Sequence, residues 1–377
     1  MAENHELPED IIRNILARMP TKPLVRFKCI SRNWNLMISD PNFMSSRSRR
    51  MILFPAYPFY AIDTAILRHN DTMIKLHSSQ IFKNGRLCCF VGTLNGIVVL
   101  TNGKTKNENM IIYNPFTGAL KIVPDHMYGH VYGFCYGTTA EDLKIVRLRV
   151  VDNTRRCEVF CLKNWSWSQR RFYMHWTPLG FHPGVATAWS TPIMNIGDFK
   201  LHFLDIRGIF VEGFLYWPVE SCDNNSSNWV LSLLVLNVNE MVFSQIRFPP
   251  DCSFWYTIPL GTLRGRLCFV SFRKSDLCGR GPEYELWVRN KESWSKVRYL
   301  ASLWRIRYVL KFDPICILDE GKLVMFKLPN KLIFYDLLKD SYEETHEVNE
   351  LKNLPPIELI WPGRSIEYVE SSISIGF

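Results

Sequence analysis

Many residues of this chain have reactive side chains, but their spacing assembles no familiar reaction centre. Gly103-Lys104-Thr105 has the ending of a phosphate loop, yet such a loop needs its first glycine where Val98 stands. Asn102-Gly103 reads better as a hairpin turn. Neither HExxH nor GxSxG occurs, and the nine His, among them His126, His130, His175, His182 and His202, lack metal-ligand spacing. Among the eleven Cys the closest pairs, Cys88 with Cys89 and Cys157 with Cys161, match no zinc pattern. An odd count without an export signal reads as reduced thiols packed as small hydrophobes in strands. The expectation is no catalytic residue, no cofactor and no metal, although a set gathered from distant strands would leave no motif.

Binding is then the remaining class of function, and composition narrows it. With 377 residues, 47% hydrophobic and 14% aromatic, the chain can bury a large core and exceeds one minimal domain. No apolar run is long enough for a membrane span, and the polar, acidic start at 1–8 is unlike a secretory signal. A soluble protein of the cytoplasm or nucleus is expected, so Asn70-Asp71-Thr72, Asn164-Trp165-Ser166 and Asn224-Asn225-Ser226 are chance glycosylation matches. The net charge of +9 is diffuse. Its densest part, Arg147, Arg149, Arg155, Arg156, Lys163, Arg170 and Arg171, alternates with apolar residues and reads as a solvated strand face, not a phosphate track. No nucleic-acid partner is expected.

The elements that must present a binding surface fall into two kinds. In the first fifty residues Ile11, Ile12, Ile15, Leu16 and Met19 form one stripe at helical spacing. Pro8 stands at the start with Glu9 and Asp10 behind it, where the helix dipole favours anions, and Pro20 ends the run. Thr21 can cap a second helix carrying Leu24, Val25 and Phe27; Ser31 can cap a third carrying Trp34, Leu36, Met37 and Ile38, stopped at Asp40-Pro41. Three short helices hide less apolar surface than these residues supply. The surplus either packs on the larger domain or docks another protein.

The ordered run Leu7-Pro8, Ile11-Ile12, Ile15-Leu16, Met19-Pro20, Leu24, Arg26 to Ser31, Trp34 and Asp40 to Phe43 resembles an F-box almost position for position. Met19 and Ile30 replace the family's usual Leu and Val, both conservative in volume. The resemblance implies an adaptor in which three helices bind an SKP-type linker, and through it a cullin, while the rest of the chain selects a protein client for ubiquitination. Carried over by position, the docking set is Leu7, Pro8, Ile11, Ile15, Leu16, Leu24, Phe27, Ile30 and Trp34. Some of these must hold the helices to one another, and sequence does not separate the two groups.

Past Arg50 the pattern turns to short alternating strands with turns between them. A hairpin recurs five times, and its markers Ile112, Val159, Val235, Leu286 and Ile333 stand 47, 76, 51 and 47 residues apart. Before most of them comes a turn glycine opening a strand: Asn95-Gly96, Glu212-Gly213, Arg264-Gly265 and Glu320-Gly321. Strand, link and hairpin repeated at this interval is the arithmetic of a propeller blade, with a β-sandwich as the alternative.

YNPFTG at 113–118, YGFCYG at 132–137, EGFLYW at 212–217 and ELWVRNKESWSKV at 285–297 resemble the F-box-associated region of flowering plants, which is related in pattern to kelch-like propellers. The expected fold is thus an α+β multidomain chain: an F-box over 1–50, then a mostly β domain, a β-propeller of undetermined blade number, over 51–377. The function it implies is a non-catalytic substrate adaptor of an SKP-cullin-F-box ligase. A non-ligase scaffold and an S-locus-type receptor for secreted ribonucleases are the alternatives. The long gap holds Tyr173, His175, Trp176, Phe181, His182 and Trp189, either a client-recognition insert or part of the core.

Overall fold

The computed structural model describes residues 7–19, 21–40, 43, 50–54, 59–63, 74–76, 89–101, 109–124, 131–139, 141–151, 154–170, 173–174, 193–196, 199–205, 207–223, 230–250, 252, 260–263, 265–273, 283–291, 293–299, 312–317, 322–327, 331–344 and 366–369.

Three helices come first: α1 (Glu9–Arg18), α2 (Thr21–Phe27) and α3 (Arg32–Ser39). The amides of Ile11 and Ile12 both reach the Pro8 carbonyl at 3.1 Å, so Pro8 caps α1 and the acids follow it in the first turn. Thr21, expected as a cap, is itself the first residue of α2. Ser31 caps α3, its hydroxyl accepting the Trp34 amide at 3.1 Å, and Asp40 ends it in extended conformation.

Among the described residues the strands form five sheets, four of four strands and one of eleven; dividing the largest where Tyr132 and Gly133 pair in parallel with Arg207 and Gly208 gives six blade-like units, or blades. The first combines β1 (Arg50–Phe54), β2 (Tyr60–Asp63) and β3 (Ile74–Lys75) with the last of the described strands, β27 (Ile366–Val369), in the order β27-β1-β2-β3. The second is β4 (Cys89–Leu94), β5 (Ile97–Thr101), β6 (Asn109–Tyr113) and β7 (Leu120–Pro124). The third is β8 (Val131–Tyr136), β9 (Leu143–Val151), β10 (Thr154–Cys161) and β11 (Ser166–Arg170). After β12 (Tyr173–Met174), β13 (Ile193–Ile196) and β14 (Phe199–Phe203), which attach to the fourth blade, come β15 (Arg207–Val211), β16 (Phe214–Asp223), β17 (Val230–Asn237) and β18 (Val242–Arg247). The fifth is β19 (Leu260–Leu263), β20 (Arg266–Arg273), β21 (Glu283–Asn290) and β22 (Ser293–Tyr299); the sixth is β23 (Phe312–Ile317), β24 (Lys322–Lys327), β25 (Lys331–Asp336) and β26 (Ser341–Glu344).

The innermost strands β27, β4, β8, β15, β19 and β23 neighbour one another around the ring. Because β27 pairs with β1, Met51 opposite Tyr368, the end of the chain closes the circle that its β1 opens. The five hairpin markers all lie in third strands, of blades two to six. The first blade escapes that series because its strands come from opposite ends of the sequence.

Inner strands are buried on both faces, β5 throughout and β8 in all but its last residue, whereas the outer strand β11 is largely in water. On β5, Val98 and Leu100 join Met51, Leu53 and Tyr368 of the first blade, while Ile97 and Val99 join Phe134, Ile145 and Phe160 of the third. Alternate side chains thus serve two inter-blade cores. Blades three and four approach most closely: β8 and β15 pair in parallel through Gly133 and Gly208. A Cβ on Gly133 would lie 2.6 Å from Leu215, and one on Gly208 2.6 Å from the Trp217 ring. Trp217, fully buried, donates its indole N–H to the Tyr132 carbonyl at 3.0 Å.

Turns between third and fourth strands repeat one device. Asn114 Oδ1 accepts the amides of Phe116 and Thr117 at 2.9 and 3.2 Å. Asn237 serves Asn239 and Glu240 in the same way, and Asp336 serves Leu338 and Lys339. Each turn ends at positive φ, in Gly118, Met241 and Asp340.

The basic stripe departs from the sequence expectation. Arg147 and Arg149 are buried rather than solvated, and both engage the carboxylate of buried Glu158, which lies directly across the ladder from Arg147. The Arg147 guanidinium also stacks on Trp167, 3.9 Å from the ring centre. The partner is one strand away, at a sequence distance that periodicity does not reveal.

Candidate docking site on the helical module

The nine residues of the expected docking set divide by burial. Leu16 and Leu24 join Ile38 and Phe43 in a dry cluster, each at most 1% exposed. Ile12, Ala17, Met19 and Met37 pack around it. Phe27 and Trp34 are half-buried and meet edge to face, ring centres 5.6 Å apart and planes at 67°. Leu7, Pro8, Ile11, Ile15 and Ile30 remain exposed, Leu7 at 56% and Ile30 at 58%.

Helical periodicity produces this division. Ile11 and Ile15 are one turn apart on one side of α1, and Ile12 and Leu16 are one turn apart on the side facing α2 and α3. Ile30 stands in the turn after α2, which closes with hydrogen bonds from Cys29 and Ile30 to Arg26 and Phe27 at 3.1 Å. Leu36, 64% exposed on α3, was placed on the third helix by the sequence but left out of the docking set. Its neighbours Met37 and Ile38 turn inward, and that local contrast was the available signal.

Little electrostatics accompanies the apolar face. Arg13 and Asp40 form an ion pair at 3.5 Å between partly exposed side chains, an interaction of small energy. Removing an exposed Ile or Leu from water contributes roughly 1.5–3 kcal/mol when burial is complete. Leu7, Ile11, Ile15 and Ile30 are each 42–58% exposed, so each has apolar surface that a partner could remove from water.

In the propeller several titratable groups are buried. Burial raises the thiols of Cys135 and Cys268, and that of Cys157 to about 12 with help from the Glu158 charge, which keeps them protonated and unreactive. Burial alone would raise the Glu158 carboxyl, but hydrogen bonds from Arg149 and Arg147 outweigh it and hold the group below the usual carboxylate range. Among the described residues no group of three or more His, Cys, Asp or Glu is placed to hold a metal. Of the aromatic insert, Tyr173 lies on β12 beside Val242; His175, Trp176, Phe181, His182 and Trp189 lie outside the described residues, as does Gly103-Lys104-Thr105.

Comparison with known proteins agrees with both parts of this architecture. Residues 5–46 match the F-box domain, and residues 59–354 match the F-box associated beta propeller domain. The chain is 24% identical over 374 residues to F-box protein CPR1 of Arabidopsis thaliana, covering 88% of this chain and 82% of that protein. It is 25% identical over 332 residues to the Arabidopsis thaliana F-box/kelch-repeat protein At3g23880, covering 80% and 82%. It is 27% identical over 224 residues to the putative F-box protein At3g16210 of the same plant, covering 56% of this chain and 53% of the relative, about half its length. TolB from Acinetobacter baumannii superposes with a TM-score of 0.44 at 8% identity, covering 86% of this chain and 67% of its own, too slight a likeness to argue from. With the propeller match spanning most of its length and an F-box match ahead of it, the chain belongs to the plant F-box proteins that carry an F-box associated beta propeller domain.

Proposed function

We propose that this protein is the non-catalytic substrate adaptor of an SKP-cullin-F-box ubiquitin ligase. The helical module, 1–50, docks the SKP-type linker, and the propeller, 51–377, holds the client. The observation that carries the reading is the exposed apolar face of Leu7, Pro8, Ile11, Ile15 and Ile30 on helices whose own core is already complete with Leu16, Leu24, Ile38 and Phe43. Such a face is stable in water only at a cost that a partner relieves. Leu36 extends it onto α3. Phe27 and Trp34 act behind it as the half-buried support that fixes how α2 meets α3.

Linker and cullin are the partners, and the work is done in the cytoplasm or nucleus on a protein client without a cofactor, a membrane or nucleic acid. The name of the F-box/kelch-repeat relative supports a kelch-like reading of the blades. Co-expression of the full chain with an SKP-type linker and a cullin, followed by size-exclusion chromatography, tests the reading. A co-eluting ternary complex that ubiquitinates a captured client is expected. A chain that elutes alone removes the adaptor reading, and a complex that accumulates clients without modifying them replaces it with a scaffold.

A further inference from the structure

We infer that Phe116, at the tip of the second blade's outer turn, is a positioning residue that fastens the helical module to the propeller and so sets the direction in which the propeller faces. This rests on the adaptor reading above. Phe116 belongs to the 114–119 turn yet packs against the helical cluster of Leu16, Leu24, Ile38 and Phe43. Among the described residues it is the one hydrophobic side chain of the propeller in that cluster.

The turn itself does not require that ring. Asn114, fully buried, accepts two amides; Gly118 N–H reaches the Asn114 carbonyl and Asn114 N–H the Ala119 carbonyl, both at 2.9 Å; and the Ala119 amide bonds Thr117 Oγ1 at 3.2 Å. The backbone is closed by its own hydrogen bonds before Phe116 touches anything. The sixth blade supplies an internal control. Its Asp336 turn has the same bonding pattern, and the residue equivalent to Phe116 is Leu338, which is 78% exposed. Turn geometry alone therefore leaves this position in water, and the helices are what half-cover Phe116.

Topology places the second attachment on the same side. The turns joining third to fourth strands and those joining first to second strands open on one face, because alternate strands are antiparallel. Arg50, at the start of β1 and opposite Val369 at the end of β27, lies on that face too. The chain thus passes from the helices into the propeller at the first blade, and Phe116 grips the helices from the second. A covalent link alone limits distance but not direction; a second contact beside it removes the rotational freedom. The face from which the second-to-third strand links and the inter-blade links leave is consequently turned away from the helices, where a client meets no obstruction from the linker.

The test uses the full chain bound to linker, with a dye pair at Asn35 on α3 and Lys291 in the fifth blade, both exposed, and compares Phe116→Ala and Phe116→Asp with Leu338→Ala. Single-molecule energy transfer is expected to give one narrow distance in the parent and in Leu338→Ala, and a distribution at least about twice as broad in both Phe116 variants. Exchange of the Leu16 and Leu24 amides should rise about tenfold in the Phe116 variants only. Linker affinity should stay within about twofold of the parent throughout. An unchanged distance distribution in Phe116→Asp overturns the inference while leaving the adaptor reading intact. A parent chain that binds no linker overturns the adaptor reading, and the same dye pair in the free chain then still decides whether Phe116 sets the orientation.

Discussion

Ile15 and Leu16 are neighbours in the chain, yet one is 48% exposed and the other 1%, because a single residue step turns a helical side chain by about 100°. Ile15→Asp should therefore leave the fold intact and lower linker affinity at least about a hundredfold, since a carboxylate would enter a dry contact unpaired. Leu16→Ala should instead destabilise the helical module by about 2–5 kcal/mol. Pull-down with the linker and thermal unfolding of each variant separate the two effects. Equal loss of binding in both, with equal melting, would contradict the division of the face from the core.

Glu158 carries the buried charge of Arg147 and Arg149 in the third blade. Glu158→Gln removes the buried carboxylate charge that both guanidiniums engage and should cost about 3–5 kcal/mol, read as a lowered melting temperature. The pH response has a definite sign. The folded carboxyl titrates below its unfolded value, so its stabilisation is present above the ordinary Glu range, about 4.3, and is lost as pH falls through the lower folded value. Melting curves across that window should fall with acid more steeply in the parent than in Glu158→Gln.

Gly208 touches the Trp217 indole where blades three and four pair in parallel. Gly208→Ala places a methyl group 2.6 Å from a buried ring whose indole N–H is tied to Tyr132. A destabilisation of about 1–3 kcal/mol is expected, measurable by urea titration. Gly213→Ala has open space around its Cβ but φ of +87°, so its cost comes from the backbone and should appear without disturbance of Trp217 fluorescence.

Removing residues 366–377 deletes β27, and with it the innermost strand of the first blade and buried Tyr368. The ring then opens at β1, leaving an unpaired edge. The truncated chain should lose its single cooperative transition and aggregate at concentrations where the parent stays monodisperse, as light scattering would show. A truncated chain that melts like the parent would mean that the closure carries no stability.

The five third-strand markers and the turn glycines Gly96, Gly213 and Gly265, all at positive φ, were legible because a blade is a local unit: its alternation and its tight turns are written within about fifty residues; Gly321 lies outside the described residues. So were the positions of α1, α2 and α3, the Ser31 cap, and the apolar surplus on α1; Pro8, expected in the first turn, stands one residue ahead of it, and Thr21, expected as a cap, lies inside α2. The first blade was not, because β27 and β1 meet only when the ring closes, and no local pattern joins residues so far apart. The Arg147 and Arg149 stripe read as solvated for a different reason: Glu158 is close in sequence, but alternation along one strand does not show which side chain the next strand sets across the ladder.

By itself the sequence determined which residues are apolar, at what period they recur and where the backbone must bend, and these suffice for helices and strands; the family rests on the likeness of ordered motifs. Tertiary structure alone decided which side of each helix remains in water, which charges lose it, and that Phe116, a turn residue, is covered by helices coming from another part of the chain. Burial is a property of what lies opposite a side chain in space, and that neighbour is set by the closed ring rather than by adjacency along the chain.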